Sequence, residues 1–293
     1  MSNVIRSVSE YLSYFEKENE TYKSTITVGC FIFYRGQANA KWELNPSLYR
    51  EGLFDSESLL LTELKHICPN EFLGNKFDIL VKMQHFGMPT RLLDTTINPL
   101  VALYFACENE NQINYDGAVY AFPNLPVSWS TDPLIDLIMD YVFDYHPKGI
   151  WLEQMLNISR VKYANVIHRV MPENMHDLIY YLTIPAFPVM PAKTNNRIEA
   201  QDGAFFVCGM KCQGSKTSDN PGVLGRVYYD FGPVNLIDET KVWANAQKLI
   251  IPAENKKEIL KQLDLLGINQ RKLFPDLLHQ IQYATKFAKE KGL

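Results

Sequence analysis

Apolar positions recur along this chain with two periods, and the period changes from segment to segment. Val4, Val8, Tyr11, Leu12 and Phe15 fall on one helical face, which predicts an amphipathic helix within residues 1–24. Cys30, Phe31, Ile32, Phe33 and Tyr34 instead form a short aromatic and β-branched run, read as a buried strand that stops at Arg35-Gly36 and delivers Arg35 at its end. Ser56 is placed to cap a helix carrying Leu59, Leu60, Leu64 and Ile67, and a second helix from about Phe77 to Phe86 ends where Gly87 supplies a left-handed cap. Both are predicted as core helices. Arg91 to Thr96 reads as extended, and Asn98-Pro99 then opens an apolar helix through Leu103, Phe105 and Ala106, with Asn as cap and Pro in the first turn.

Gly117 to Phe122 is a predicted strand, and 133–183 a helical region carrying Ile135, Leu137, Ile138, Tyr141 and Val142, then Val166, Ile167, Val170, Leu178, Tyr181 and Leu182. Strands return at Ala204 to Val207 and Arg226 to Phe231. The polar, turn-rich stretch Gly214 to Gly222 between them is predicted to be a mobile loop. Lys248 to Ile251 is a further strand, Lys256 to Leu266 has the basic and apolar spacing of a surface helix, and a last helix starts at Pro275. Helices and strands intermingle without regular alternation. The expected fold is therefore α+β, with a central, mostly antiparallel sheet and flanking helices. We expect one domain over 1–293: a core of about 25–252, the N-terminal helix, and a C-terminal helical element from 253.

Composition narrows the chemistry. A net charge of −4 gives no footprint for wrapping nucleic acid, so such a target would need a local basic groove. Residues 254–293 hold eight Lys or Arg against five Asp or Glu, which reads as a solvated helical face. Five cysteines without framework spacing suit a reducing compartment. Neither a signal sequence nor an apolar span of about 20 residues is evident, so a cytoplasmic protein without a membrane partner is expected. Cys208 and Cys212 lack a second ligand pair, and the histidines are scattered, so no metal is expected. Phosphate-loop and nucleophile-elbow motifs are missing too.

What remains is a set of polar residues at the edges of apolar segments. Arg91 and Asp94 are predicted to pair, either holding the loop or touching a ligand. Arg35, Gly36 and Gln37 would offer a ligand a cation, open backbone and an amide. Arg197, Glu199 and Gln201 would share one face of an extended chain leading into the strand after Gly203. Arg35, Arg91 and Gln201 are expected around one cleft, because burying them separately requires three sets of partners.

These residues carry a resemblance. Tyr34-Arg35-Gly36, the block from Gln84 through Thr90-Arg91-Leu92-Leu93-Asp94-Thr95-Thr96 to Ala106, Arg197-Ile198 with Gln201 and Gly203, and Leu273-Phe274-Pro275-Asp276-Leu277 resemble the FRG family. A second resemblance is to ADP-ribosyltransferases of the Arg-Ser-Glu class. Tyr34-Arg35-Gly36, Asp94-Thr95-Thr96 followed by Ala102-Leu103-Tyr104-Phe105-Ala106, and Glu199-Ala200-Gln201 stand in that order. It implies an ADP-ribosyltransferase-like fold, with Arg35 gripping a phosphate or ribose of NAD, the Gly36 backbone holding the nicotinamide amide, and Thr95 or Thr96 ordering the site. That class has its essential Glu where this chain has Gln201, which leaves Glu199 as the carboxylate. The expectation is a protein that binds NAD or another nucleotide and cleaves or transfers ADP-ribose as a toxin or defence effector. The alternatives are a recognition module for a nucleotide or a protein, and local action on nucleic acid.

Overall fold

The computed structural model describes residues 3–23, 30–144, 149–151, 183–217, 227–233 and 246–291. In chain order the strands are β1 (Cys30–Gln37), β2 (Leu92–Thr96), β3 (Gly117–Pro126), β4 (Ser128–Trp129), β5 (Gly149–Trp151), β6 (Ala186–Met190), β7 (Gly203–Cys208), β8 (Met210–Thr217), β9 (Val227–Pro233) and β10 (Gln247–Ile251). The helices are α1 (Val8–Lys23), α2 (Ser47–Arg50), α3 (Glu57–Ile67), α4 (Lys76–His85), α5 (Pro99–Cys107), α6 (Pro133–Asp144), α7 (Asn196–Ala200), α8 (Lys256–Leu265), α9 (Gln270–Leu273) and α10 (Leu277–Lys291).

The fold is α+β, as the mixed periods imply. A sheet with order β10-β3-β1-β2-β7-β6-β4 is antiparallel throughout except at its edge, where β4 runs parallel to β6; β5, β9 and β8 form a smaller antiparallel sheet. Strand alternation sorts the large sheet into two faces. On one face, Tyr34, Val119, Ala121, Leu249 and Ile251 pack beneath α1, α5 and α8, while Leu92, Phe205, Val207 and Val189 pack beneath α3, α4 and α6. Phe33, Leu93, Tyr120, Phe122 and Phe206 build the core of the other face together with Leu44. Between the two helix groups the sheet has a seam. β1 and β2 are registered only at Tyr34 opposite Thr96.

Local signals explain the elements around that seam. Asn98 accepts from the Leu100 amide at 3.0 Å, and Pro99 follows, so α5 starts where its cap dictates. Gly87, at φ +94°, ends α4: the Gly87 and Met88 amides return to the Gln84 and Met83 carbonyls, which is the Schellman arrangement.

Several expectations are corrected. α1 begins at Val8, with Val4 bridged to Ile250; Leu12 is exposed, and Tyr14 takes the buried position. β1 does not stop at Arg35 but runs on to Gln37, because β3 pairs with it as far as Gln37 opposite Ala118. On α3, Glu57 and Leu61 are buried while Leu59 and Ile67 face out. Lys256 opens α8 fully buried, its amine donating to the carbonyls of Ala38 at 2.6 Å and Gln112 at 3.0 Å. Gly214 to Thr217 belong to β8, paired with β9, and not to a loop. Residues 218–222 and the apolar positions 166–182 lie outside the described residues.

Candidate functional site

A cavity of about 320 Å³ opens at the seam, at the lower end of the size range of ligand pockets. Its lining comes from both faces of the sheet: Tyr34 to Ala38 on β1 and just beyond, Asp94 to Thr96 on β2, Gln84 and His85 of α4, Phe105 of α5, and Arg197 and Gln201 on and after α7. Trp42, Arg50 and Glu108 also line it.

Arg35 reaches across the seam. Its Nη1 donates to the Asp94 carbonyl at 2.6 Å, while its Nε has no partner among the described residues. Burial lowers its pKa, partly offset by Asp94; a guanidinium nonetheless remains charged. The Asp94 side chain is exposed to the cavity, and its Oδ1 accepts from Gln84 Nε2 at 2.7 Å.

Arg91 has no place in this cleft. It does not pair with Asp94 but with Glu57 of α3: its Nε donates to Glu57 Oε1 at 2.8 Å, its Nη2 contacts Oε2, and its Nη1 donates to the Cys208 carbonyl at 3.3 Å. Burial would lower the Arg91 pKa, but Glu57 outweighs it and holds the group above its ordinary value. The expected pair fails for a geometric reason. Residues three apart on an extended chain point to opposite faces.

The second cluster is also rearranged. Asn195 accepts from the Arg197 amide at 2.7 Å and caps the single turn α7, so the chain is helical here and not extended. Positions four apart then share a face. Arg197 and Gln201 both line the cavity, whereas Glu199 is exposed outside it. Arg197 lies over the Phe274 ring at 4.7 Å, and Gln201 Nε2 donates to the Leu273 carbonyl at 3.0 Å, so the segment before α10 supports this wall.

Three other expected ligand residues have structural duties. Gly36 admits α5: a Cβ there would sit 1.9 Å from the Ala102 carbonyl oxygen, so the close approach is made by a helix rather than by a ligand. Tyr34 stacks edge-on to Phe15 at 5.2 Å, and burial raises its pKa to about 12. The Thr96 hydroxyl donates to the Gln201 carbonyl at 2.7 Å and accepts from the Asn98 amide at 3.0 Å, fixing the turn after α7. Gln37 and Thr95 behave differently, since Gln37 Oε1 and Thr95 Oγ1 are buried without a partner among the described residues.

Residues 31–114 match the family model of the FRG domain. The chain carries an FRG domain. Neither the comparison with curated proteins nor that with solved structures yields a match. The FRG match contributes β1, β2, α4 and α5 to the cleft, and Asn195 to Phe205 complete it from outside the matched range. The sequence pattern does not mark Arg50, Trp42, His85 or Glu57. The Asn195-Asn196 pair ahead of Arg197 was a legible cap signal for α7; nothing local marked Glu57 as inward-facing.

The cleft is electropositive. Arg35, Arg50 and Arg197 face Asp94 and Glu108 within one lining. Burial lowers the His85 pKa, and Arg197 lowers it further. Such an arrangement suits an anion carried on a planar or polar body, with guanidiniums for phosphate and Trp42 and Phe105 for a ring.

Proposed function

We propose that the FRG domain of this chain binds a nucleotide, NAD among them, in the cleft at the β1–β2 seam. The observation that carries this reading is Arg35: a half-buried guanidinium spanning the seam, whose one side-chain hydrogen bond is to a backbone carbonyl, next to two buried polar atoms without partners among the described residues. A charge that a fold does not satisfy for itself is a candidate to be satisfied by a ligand.

Recognition fits the lining better than transfer through Glu199. That carboxylate lies outside the cavity, and the Gln201 amide is engaged by the Leu273 carbonyl. A second reading, cleavage at the nicotinamide bond by a toxin or defence effector, is favoured by one feature: the exposed Asp94 carboxylate within the lining, beside Arg35. The test is calorimetry with NAD and ADP-ribose alongside detection of released nicotinamide. Binding by the wild type, weakened about tenfold to a hundredfold in Arg35→Ala, supports the nucleotide site, since a hydrogen bond to a charged group contributes about 1.5–3 kcal/mol. Release of nicotinamide that Asp94→Asn abolishes and Glu199→Gln leaves alone supports cleavage. Absence of binding to either ligand contradicts the whole reading.

A further inference from the structure

Three residues of the cleft lining each carry a buried polar atom with no hydrogen-bond partner among the described residues: Arg35 Nε, Gln37 Oε1 and Thr95 Oγ1. Gln37 and Thr95 are only 2% and 7% exposed, so bulk water does not serve them, a condition that folded proteins rarely leave uncompensated. The Gln37 amide is also oriented. Its Nε2 donates to the Glu43 carbonyl at 3.2 Å, and the reversed amide would set two oxygens against each other, so the acceptor Oε1 is the atom turned the other way.

Their chemistry differs in a readable way. Arg35 and Gln37 are two apart on β1 and share a face; the antiparallel register through Tyr34 and Thr96 sets Thr95 opposite Arg35 on β2. The three atoms offer one obligate donor, one obligate acceptor and one hydroxyl that is both. A phosphate or carboxylate has only acceptors and would place an anion against Gln37 Oε1. An amino group next to an acceptor satisfies all three.

We propose that this end of the cleft reads an NH₂ group flanked by a hydrogen-bond acceptor, the edge shared by the nicotinamide carboxamide and by adenine, while Arg50 and Arg197 are left for phosphate. The inference rests on the nucleotide reading above. It makes Gln37 and Thr95 specificity residues rather than affinity residues.

Calorimetry on the full chain tests it with two matched pairs: AMP against IMP, and nicotinamide mononucleotide against nicotinic acid mononucleotide. Each pair keeps its phosphate and loses the amino group. In at least one pair the amino member should bind about tenfold tighter or more, because sites built on hydrogen bonds reject analogues that leave them unpaired, and the discriminating pair names the source. Thr95→Val and Gln37→Met, each checked for an unchanged unfolding midpoint, should bring the two members within about twofold of each other; either variant alone suffices. Equal wild-type affinity within both pairs overturns the inference and leaves the nucleotide reading intact. Discrimination that survives in a folded variant overturns the assignment of that residue. Failure of all four ligands to bind overturns both.

Discussion

Two arginines flank β2, and they live in opposite circumstances. Arg91 is about 1% exposed and fully occupied by Glu57 and the Cys208 carbonyl. Arg35 is half-buried, donates to one backbone carbonyl and keeps Nε unpartnered among the described residues. Both sit in the motifs that resemble the FRG family, so residue type and motif do not distinguish them. Satisfaction does. A buried charge with a matched carboxylate is scaffold, because removing either partner strands the other in a low dielectric; a charge that the fold leaves open is a place for chemistry from outside.

The contrast can be broken most easily at Glu57. Glu57→Ala should cost on the order of 3–5 kcal/mol and lower the urea midpoint, whereas Asp94→Ala, at an exposed side chain, should cost little and alter ligand binding instead. Equal midpoints for the two variants would erase the distinction. Gly36→Ala comes next. Its new methyl meets the Ala102 carbonyl, and such overpacking typically costs about 1–3 kcal/mol, read by the same denaturation curves. A stable Gly36→Ala protein would show that α5 can lift from β1.

The smaller effects sharpen the cleft. With its pKa lowered first by burial and then by Arg197, His85 is neutral in the free protein near neutral pH. The unfolded chain takes up its proton at about pH 6.5, so this stability contribution is present above that pH and lost as pH falls from there through the lower folded-state pKa. A phosphate bound beside His85 reverses the preference. Affinity for ADP-ribose should therefore rise as pH falls toward the lowered pKa of His85 in the free protein, and His85→Gln should flatten that slope in calorimetry. Glu199→Gln should change neither stability nor affinity measurably, in keeping with its exposed place outside the cavity. A marked loss in that variant would return Glu199 to the site.

Local features of this molecule were legible in the sequence. The Asn98-Pro99 start of α5, the Gly87 stop of α4 and the apolar runs of β1, β7 and β10 each depend on neighbours within a turn or a pleat. Arg35 and Gln201 could be placed at one cleft because both are polar residues at the edges of apolar segments. The failures were of two kinds. Face assignment needs the local period, and α7 is too short to declare one, so Glu199 was set beside Gln201 when it points away. Partner choice needs the third dimension: Glu57 is 34 residues from Arg91, whereas sequence proximity favours Asp94. Lys256 belongs with these. Its helix has the pattern of a surface helix, yet the carbonyls of Ala38 and Gln112 draw the amine inside.

The most direct test of the cleft is amide chemical-shift mapping of the labelled protein during titration with NAD. The account predicts that shifts concentrate on Arg35 to Ala38, Asp94 to Thr96 and Asn195 to Gly203, the three segments that meet at the seam. Saturable shifts confined to other surfaces, such as the basic helix α10, with these three segments unmoved, would contradict it.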